Sequence, residues 1–152
     1  MKRVIRKDVW ESNSSSVHSL QISSDGMEPS KLPVDKDGYI TVKYGEFGKD
    51  GTVYSSQEDK LSYLVTQCYY LGGWEYDINR DNNYHFRNIE DAIIDYTGAK
   101  GIRIVGGEPD IDHQTVSQMG YDGMHLIQNE WDEKEIQSFV FNKYISLLCD
   151  CD

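Results

Sequence analysis

A chain of 152 residues with 38% hydrophobic content is long enough for one domain with a buried core. It contains no run of 18 or more apolar residues, which excludes a helical membrane span. A net charge of −11, from 26 acidic against 15 basic side chains, works against direct binding to a phosphate backbone. The excess is uneven: residues 1–55 hold 8 basic and 8 acidic side chains, and residues 56–152 hold 7 and 18. Three cysteines, Cys68, Cys149 and Cys151, do not make a secreted disulfide framework. The basic N-terminus lacks a following apolar stretch and does not read as a signal peptide, so a cytoplasmic location is expected.

Along the chain, Val4-Ile5 is short enough for one strand start. Asn13 to Ser19 then places five small polar residues and His18 in seven positions, broken only by Val17. Val17 to Ile22 alternates apolar and polar residues with the period of a half-buried strand. Residues 24–38, with two prolines and several turn formers, read as a loop. Tyr39 to Tyr44 is the clearest strand, β-branched and aromatic, and Gly45 to Gly51 reads as a turn or hairpin connection.

Ser55 and Glu58 fit a capping box for a helix running to Leu71. Leu61, Leu64, Val65, Cys68 and Leu71 form its buried face, and Gly72-Gly73 stops it. Residues 74–87 are polar and aromatic without a period. Asn88 is the expected N-cap of a second helix, with Ile89, Ala92, Ile93 and Tyr96 on its apolar face. A short strand follows between Gly101 and Gly106, then a loop over 106–123, and a short strand at Met124 to Gln128. Asp132 and Glu135 form the box of a third helix, and Tyr144 to Leu148 closes as a strand. Mixed elements without regular βαβ spacing predict a single α+β domain over residues 1–152. Its architecture is an antiparallel or mixed sheet with about three helices.

Two constellations could carry chemistry. In the first, Asn13, Ser14, Ser15, Ser16 and His18 offer hydroxyl nucleophiles beside a base, without the Gly-x-Ser-x-Gly elbow; the alternative is a serine-rich structural turn. In the second, Asp112 stands beside His113 and can orient its imidazole if the segment is a turn. The four histidines, His18, His85, His113 and His125, show no local metal spacing, and no nucleotide loop is present, so neither a metal nor a cofactor is expected.

Trp10-Glu11-Ser12-Asn13-Ser14-Ser15-Ser16-Val17-His18-Ser19, Ile111-Asp112-His113-Gln114-Thr115 and the later Phe139-Val140-Phe141-Asn142 together resemble a group of small proteins from phages and mobile elements of Gram-positive bacteria. The resemblance covers three islands, under a fifth of the chain. It implies a phage context, and a fold in which His18 and His113 meet near Asn13 and the serines.

The leading expectation is a phage-type acidic binding protein of the host cytoplasm. It would inhibit a host defence nuclease in the manner of an anti-CRISPR protein, its carboxylates mimicking nucleic-acid phosphates. The partner would be a host protein with a basic nucleic-acid-binding groove, a CRISPR effector nuclease being the type case; neither nucleic acid nor membrane would be bound directly. The expected contact residues are Glu58, Asp59, Trp74, Glu75, Tyr76, Asp77, Asp81, Tyr84, Glu90, Asp91 and Asp95, with Tyr69 and Tyr70 as further aromatic anchors. The alternative is a small hydrolase or transferase with His18 or His113 as base, Asp112 orienting it, and Ser16 or a neighbouring hydroxyl as nucleophile.

Overall fold

The run Ile40–Val42 is β-branched throughout and forms β1, with Ile40 and Val42 buried and Thr41 on the other face. A computed structural model describes residues 26–48, 53–72, 75–111 and 132–148. In chain order it contains β1, β2 (Glu46–Phe47), β3 (Val53–Tyr54), α1 (Gln57–Leu71), α2 (Tyr84–Thr97), β4 (Ile102–Ile104), β5 (Asp110–Ile111), α3 (Glu133–Phe141) and β6 (Leu147–Leu148). Among the described residues the class is mixed α and β, with three helices and short strands. Among the described residues no helix is long and apolar enough to cross a membrane.

The strand pairing corrects the expected sheet. Among the described residues the strands form three separate two-stranded ladders instead. β1 pairs with β4 in parallel, Ile40 opposite Ile102, and β2 pairs with β5 in parallel, Phe47 opposite Ile111. β3 and β6 are antiparallel. Parallel pairing needs a long crossover, and here α1 and α2 both lie between β1 and β4. The segment after Val42 therefore does not turn back as a hairpin. It is held to the helix instead: the Ser62 hydroxyl donates to Lys43 O at 2.6 Å, and Gly45 N–H donates to Thr66 Oγ1 at 3.0 Å. A Cβ on Gly45 would stand 2.7 Å from the Phe47 ring and 2.9 Å from Ser62 Oγ, so this approach requires glycine.

Two helix starts also differ from expectation. α1 is capped by Ser56, which accepts from Asp59 N, one residue later than the Ser55 box. This register makes Gln57 the first helical residue. Its side chain clamps the incoming loop, accepting from Lys31 N at 2.6 Å and donating to Pro29 O at 3.0 Å. α2 begins five residues before Asn88, at Asn83. The Asn83 side chain accepts from Phe86 N and donates to Cys68 O, both at 2.9 Å. One buried amide thus caps the start of α2 and the end of α1. α3 carries the capping box of Asp132 and Glu135 as its spacing indicates. The strands expected at 4–5, 17–22 and 124–128 lie outside the described residues.

The three helices enclose the core. Leu61, Val65 and Cys68 of α1, Ala92 and Ile93 of α2, and Phe139 and Val140 of α3 are all fully buried. Each large apolar side chain among them contributes about 1.5–3 kcal/mol. Polar ties fix the helices against one another: Gln137 Nε2 donates to Ala92 O and to Asp95 Oδ2, both at 2.9 Å. Tyr96 stacks on Phe141 with ring centroids 4.0 Å apart, and its hydroxyl donates to Glu28 O at 2.7 Å.

Lys60 is the least expected member of this core. It is 1% exposed, and its Nζ donates to Asn142 O at 3.0 Å and Ile145 O at 2.8 Å. Both acceptors lie at and just beyond the C-terminus of α3, and Asn142 O also accepts from Ile145 N at 3.1 Å. Burial pulls the Lys60 pKa down to about 7, with the carboxylate of Glu28 opposing that fall. A neutral amine still carries two N–H bonds, which matches the two carbonyls.

This burial has a pH consequence. Between about pH 7 and 10.5 the unfolded chain holds a proton on Lys60 that the folded chain has released, so stability rises with pH across that window. Below pH 7 both states hold it and the burial penalty is complete. Above about pH 9 the buried Cys68 thiol, held protonated by burial, and Tyr44, pushed up to about 12, act in the opposite direction. Urea midpoints should therefore show the wild type gaining on Lys60→Met by about 1–2 kcal/mol between pH 7 and 8.5; a constant gap would mean that the folded Lys60 stays charged.

A second expectation concerns glycines. Gly107 has φ +89°, and a Cβ there would collide with the backbone of Tyr44, whereas Gly98 has φ +78° with nothing within 4 Å. In thermal unfolding Gly98→Ala should lose about 1 kcal/mol from left-handed strain alone, and Gly107→Ala at least about 2 kcal/mol more. Equal losses would show that the backbone at Tyr44 yields freely.

Candidate functional site

β1 has one edge on β4. Its other edge meets residues 33–35, with Asp35 N donating to Tyr39 O at 2.8 Å and Thr41 N to Pro33 O at 3.0 Å. The pairing stops there because Pro33 has no N–H to return to Thr41 O. From that point the chains part and a cleft of about 500 Å³ opens. Leu32, Pro33 and Val105 line it with the Thr41–Phe47 stretch; Glu58, Asp59 and Ser62 of α1 and Tyr54 of β3 complete the wall. Thr41 O and Lys43 N–H have no hydrogen-bond partner among the described residues.

The charge of the lining comes from Glu46, Glu58 and Asp59 against Lys43. Glu58 and Asp59 occupy the first turn of α1, where the helix dipole favours carboxylates. Both are exposed, and neither forms an ion pair among the described residues.

Tyr44 links the cleft to a cluster of tyrosines. Its ring meets Tyr69 and Tyr76 edge-on at 5.9 and 6.0 Å, and Tyr69 meets Tyr70 and Tyr76 at 5.1 and 5.3 Å. The Tyr44 hydroxyl donates to Tyr76 O at 2.6 Å, and burial pushes its phenol up to about 12. Tyr70 accepts from Ile111 N at 3.1 Å and so ties the cluster to β5. Tyr76 is 55% exposed and donates to Glu108 Oε2 at 3.0 Å. That carboxylate raises the pKa of the Tyr76 phenol.

The residues expected to bind a partner fall into distinct places. Glu58 and Asp59 line the cleft. Glu75, Tyr76, Asp77 and Asp81 are exposed in the segment before α2, and Tyr84 is exposed as the first residue of that helix. The remaining three carboxylates are engaged within the fold. Glu90 is 5% exposed; its two oxygens accept from Arg80 at 2.7 Å and from Ile102 N at 2.9 Å. Asp91 accepts from the same guanidinium, and Asp95 from Gln137. Trp74 and the whole set Asn13, Ser14, Ser15, Ser16, His18, Asp112 and His113 lie outside the described residues.

Sequence reasoning missed Glu46, Lys43, Ser62 and Tyr54 as cleft residues. One signal was present: Pro33 just ahead of a strong strand marks where edge pairing fails. Nothing local showed that α1 would cross that edge. No family model, curated protein or solved structure matches this chain.

Proposed function

We propose that the chain is an acidic protein-binding module of the phage-inhibitor type, which occupies a basic nucleic-acid-binding groove on a host defence nuclease. The observation that carries this reading is the pair Glu58 and Asp59, exposed on a cleft and free of ion pairs among the described residues. Other acidic side chains are committed to the fold, Glu90 and Asp91 to Arg80 and Asp35 and Asp37 to Arg103. A fold that neutralises some carboxylates and leaves others at a cavity holds charge available for a cationic partner. The tyrosines adjoining the cleft supply rigid contact area of the kind that anchors interfaces. The surplus of 18 acidic over 7 basic side chains in residues 56–152 adds long-range steering.

Capture of proteins from a bacterial lysate on the tagged chain tests this. A nucleic-acid-processing enzyme should be retained at low salt, displaced by duplex DNA, and released in about 1 M salt, where screening is nearly complete. Retention that ignores both DNA and salt would sink the electrostatic mimic. Glu58→Gln with Asp59→Asn should weaken capture at least about tenfold, the scale of one lost charge-assisted contact.

A further inference from the structure

We infer that the cleft beside β1 is a docking groove for an extended, lysine- or arginine-bearing peptide segment of the partner, which adds to β1 as a short strand. This deepens the acidic-module reading and rests on it.

The geometry begins with what the strand edge leaves open. Thr41 N–H is taken by Pro33 O, Lys43 O by the Ser62 hydroxyl, and Gly45 N–H by Thr66 Oγ1. Between these fixed points lie Thr41 C=O and Lys43 N–H, facing the cleft and without partners among the described residues. They flank Val42 on one edge, the spacing at which a single extended residue can donate its N–H to one and offer its C=O to the other. A strand edge left open in this way is the template for strand addition.

The walls select the occupant. Exposed Val105 and buried Leu32 give the groove apolar sides. Three carboxylates against one ammonium make the lining net acidic, which attracts a cationic side chain and repels an acidic one. Lys43 is the internal cation that an incoming peptide must share the groove with. The same carboxylates repel a phosphate backbone.

The test uses the full chain and a fluorescein-labelled Lys-Val-Arg-Val-Lys-Val peptide, followed by anisotropy. Saturable binding is expected, with the amide resonances of Thr41 and Lys43 shifting in NMR spectra. Two changes should each weaken it by about tenfold, one hydrogen bond or one charge contact being involved: N-methylation of alternate peptide amides, and Glu58→Gln with Asp59→Asn in the protein. The N-methyl control leaves the protein untouched, so its result cannot be attributed to misfolding. Absence of saturation at millimolar peptide, or equal binding by the N-methylated peptide, overturns the groove assignment. If the lysate target is still captured salt-sensitively in that case, the acidic-module reading stands without the groove. If the peptide binds as described but no basic target is captured, the groove stands and the nuclease reading falls.

Discussion

The fold hangs on a lysine where hydrophobic residues would be expected. Lys60 sits in the first turn of α1 on its buried face, and its amine reaches the carbonyls of Asn142 and Ile145 just past α3. Those carbonyls lie in the buried turn that follows α3, where Asn142 O also accepts from Ile145 N and an unsatisfied Ile145 O would be unfavourable by its desolvation. Lys60 satisfies both at once and fixes where the chain goes after α3. The consequences spread from there. Glu28 N donates to Phe141 O, and Lys143 N to Gly26 O, so the loop that leads to β1 is laid against the same helix end. With that loop in place, Gln57 can clamp residues 29–31 and Pro33 meets the edge of β1.

The cleft is thus a by-product of how two chain segments diverge. Pro33 stops the pairing on one side, and Ser62 and Thr66 recapture the strand on the other. Hydroxyls at i and i+4 on a helix lie on one face, and here they act as a substitute strand for Lys43 and Gly45. The interval between proline and hydroxyls is left to solvent, and the first turn of α1 places Glu58 and Asp59 beside it.

The sequence was most legible where signals were local. The third helix follows directly from Asp132 and Glu135, whose box closes within four residues. The apolar face of α1 follows from its 3.6-residue period, because Leu61, Leu64, Val65 and Cys68 are all buried. Legibility failed where distance in sequence decided the outcome. Asn83 caps α2 in part because its amide also meets Cys68 O, a contact no window around residue 83 reveals. The parallel ladders were missed for the same reason, since short strands do not announce their direction. Of the cleft, Glu58 and Asp59 were read from charge on a helix, while Glu46 and Lys43 became visible only once β1 and α1 were side by side. Glu90 and Asp91 read as surface charge, but Arg80 draws both into the fold.

The ladders also bear on how the molecule assembles. Every named strand pair joins residues far apart in the chain: Ile40 with Ile102, Phe47 with Ile111, Val53 with Leu148. Loop closure over such separations is entropically slow, so topologies of this kind fold later than local helices do. The strand that walls the cleft cannot find its neighbour until residues 102–111 have been synthesised. On the ribosome, the edge of β1 that faces β4 therefore stays unpaired for the time needed to make that intervening stretch, while residues 33–35 are already at hand for the other edge. Until then the backbone groups of Ile40, Val42 and Tyr44, which bond residues 101, 105 and 106 in the finished fold, have no ladder to join.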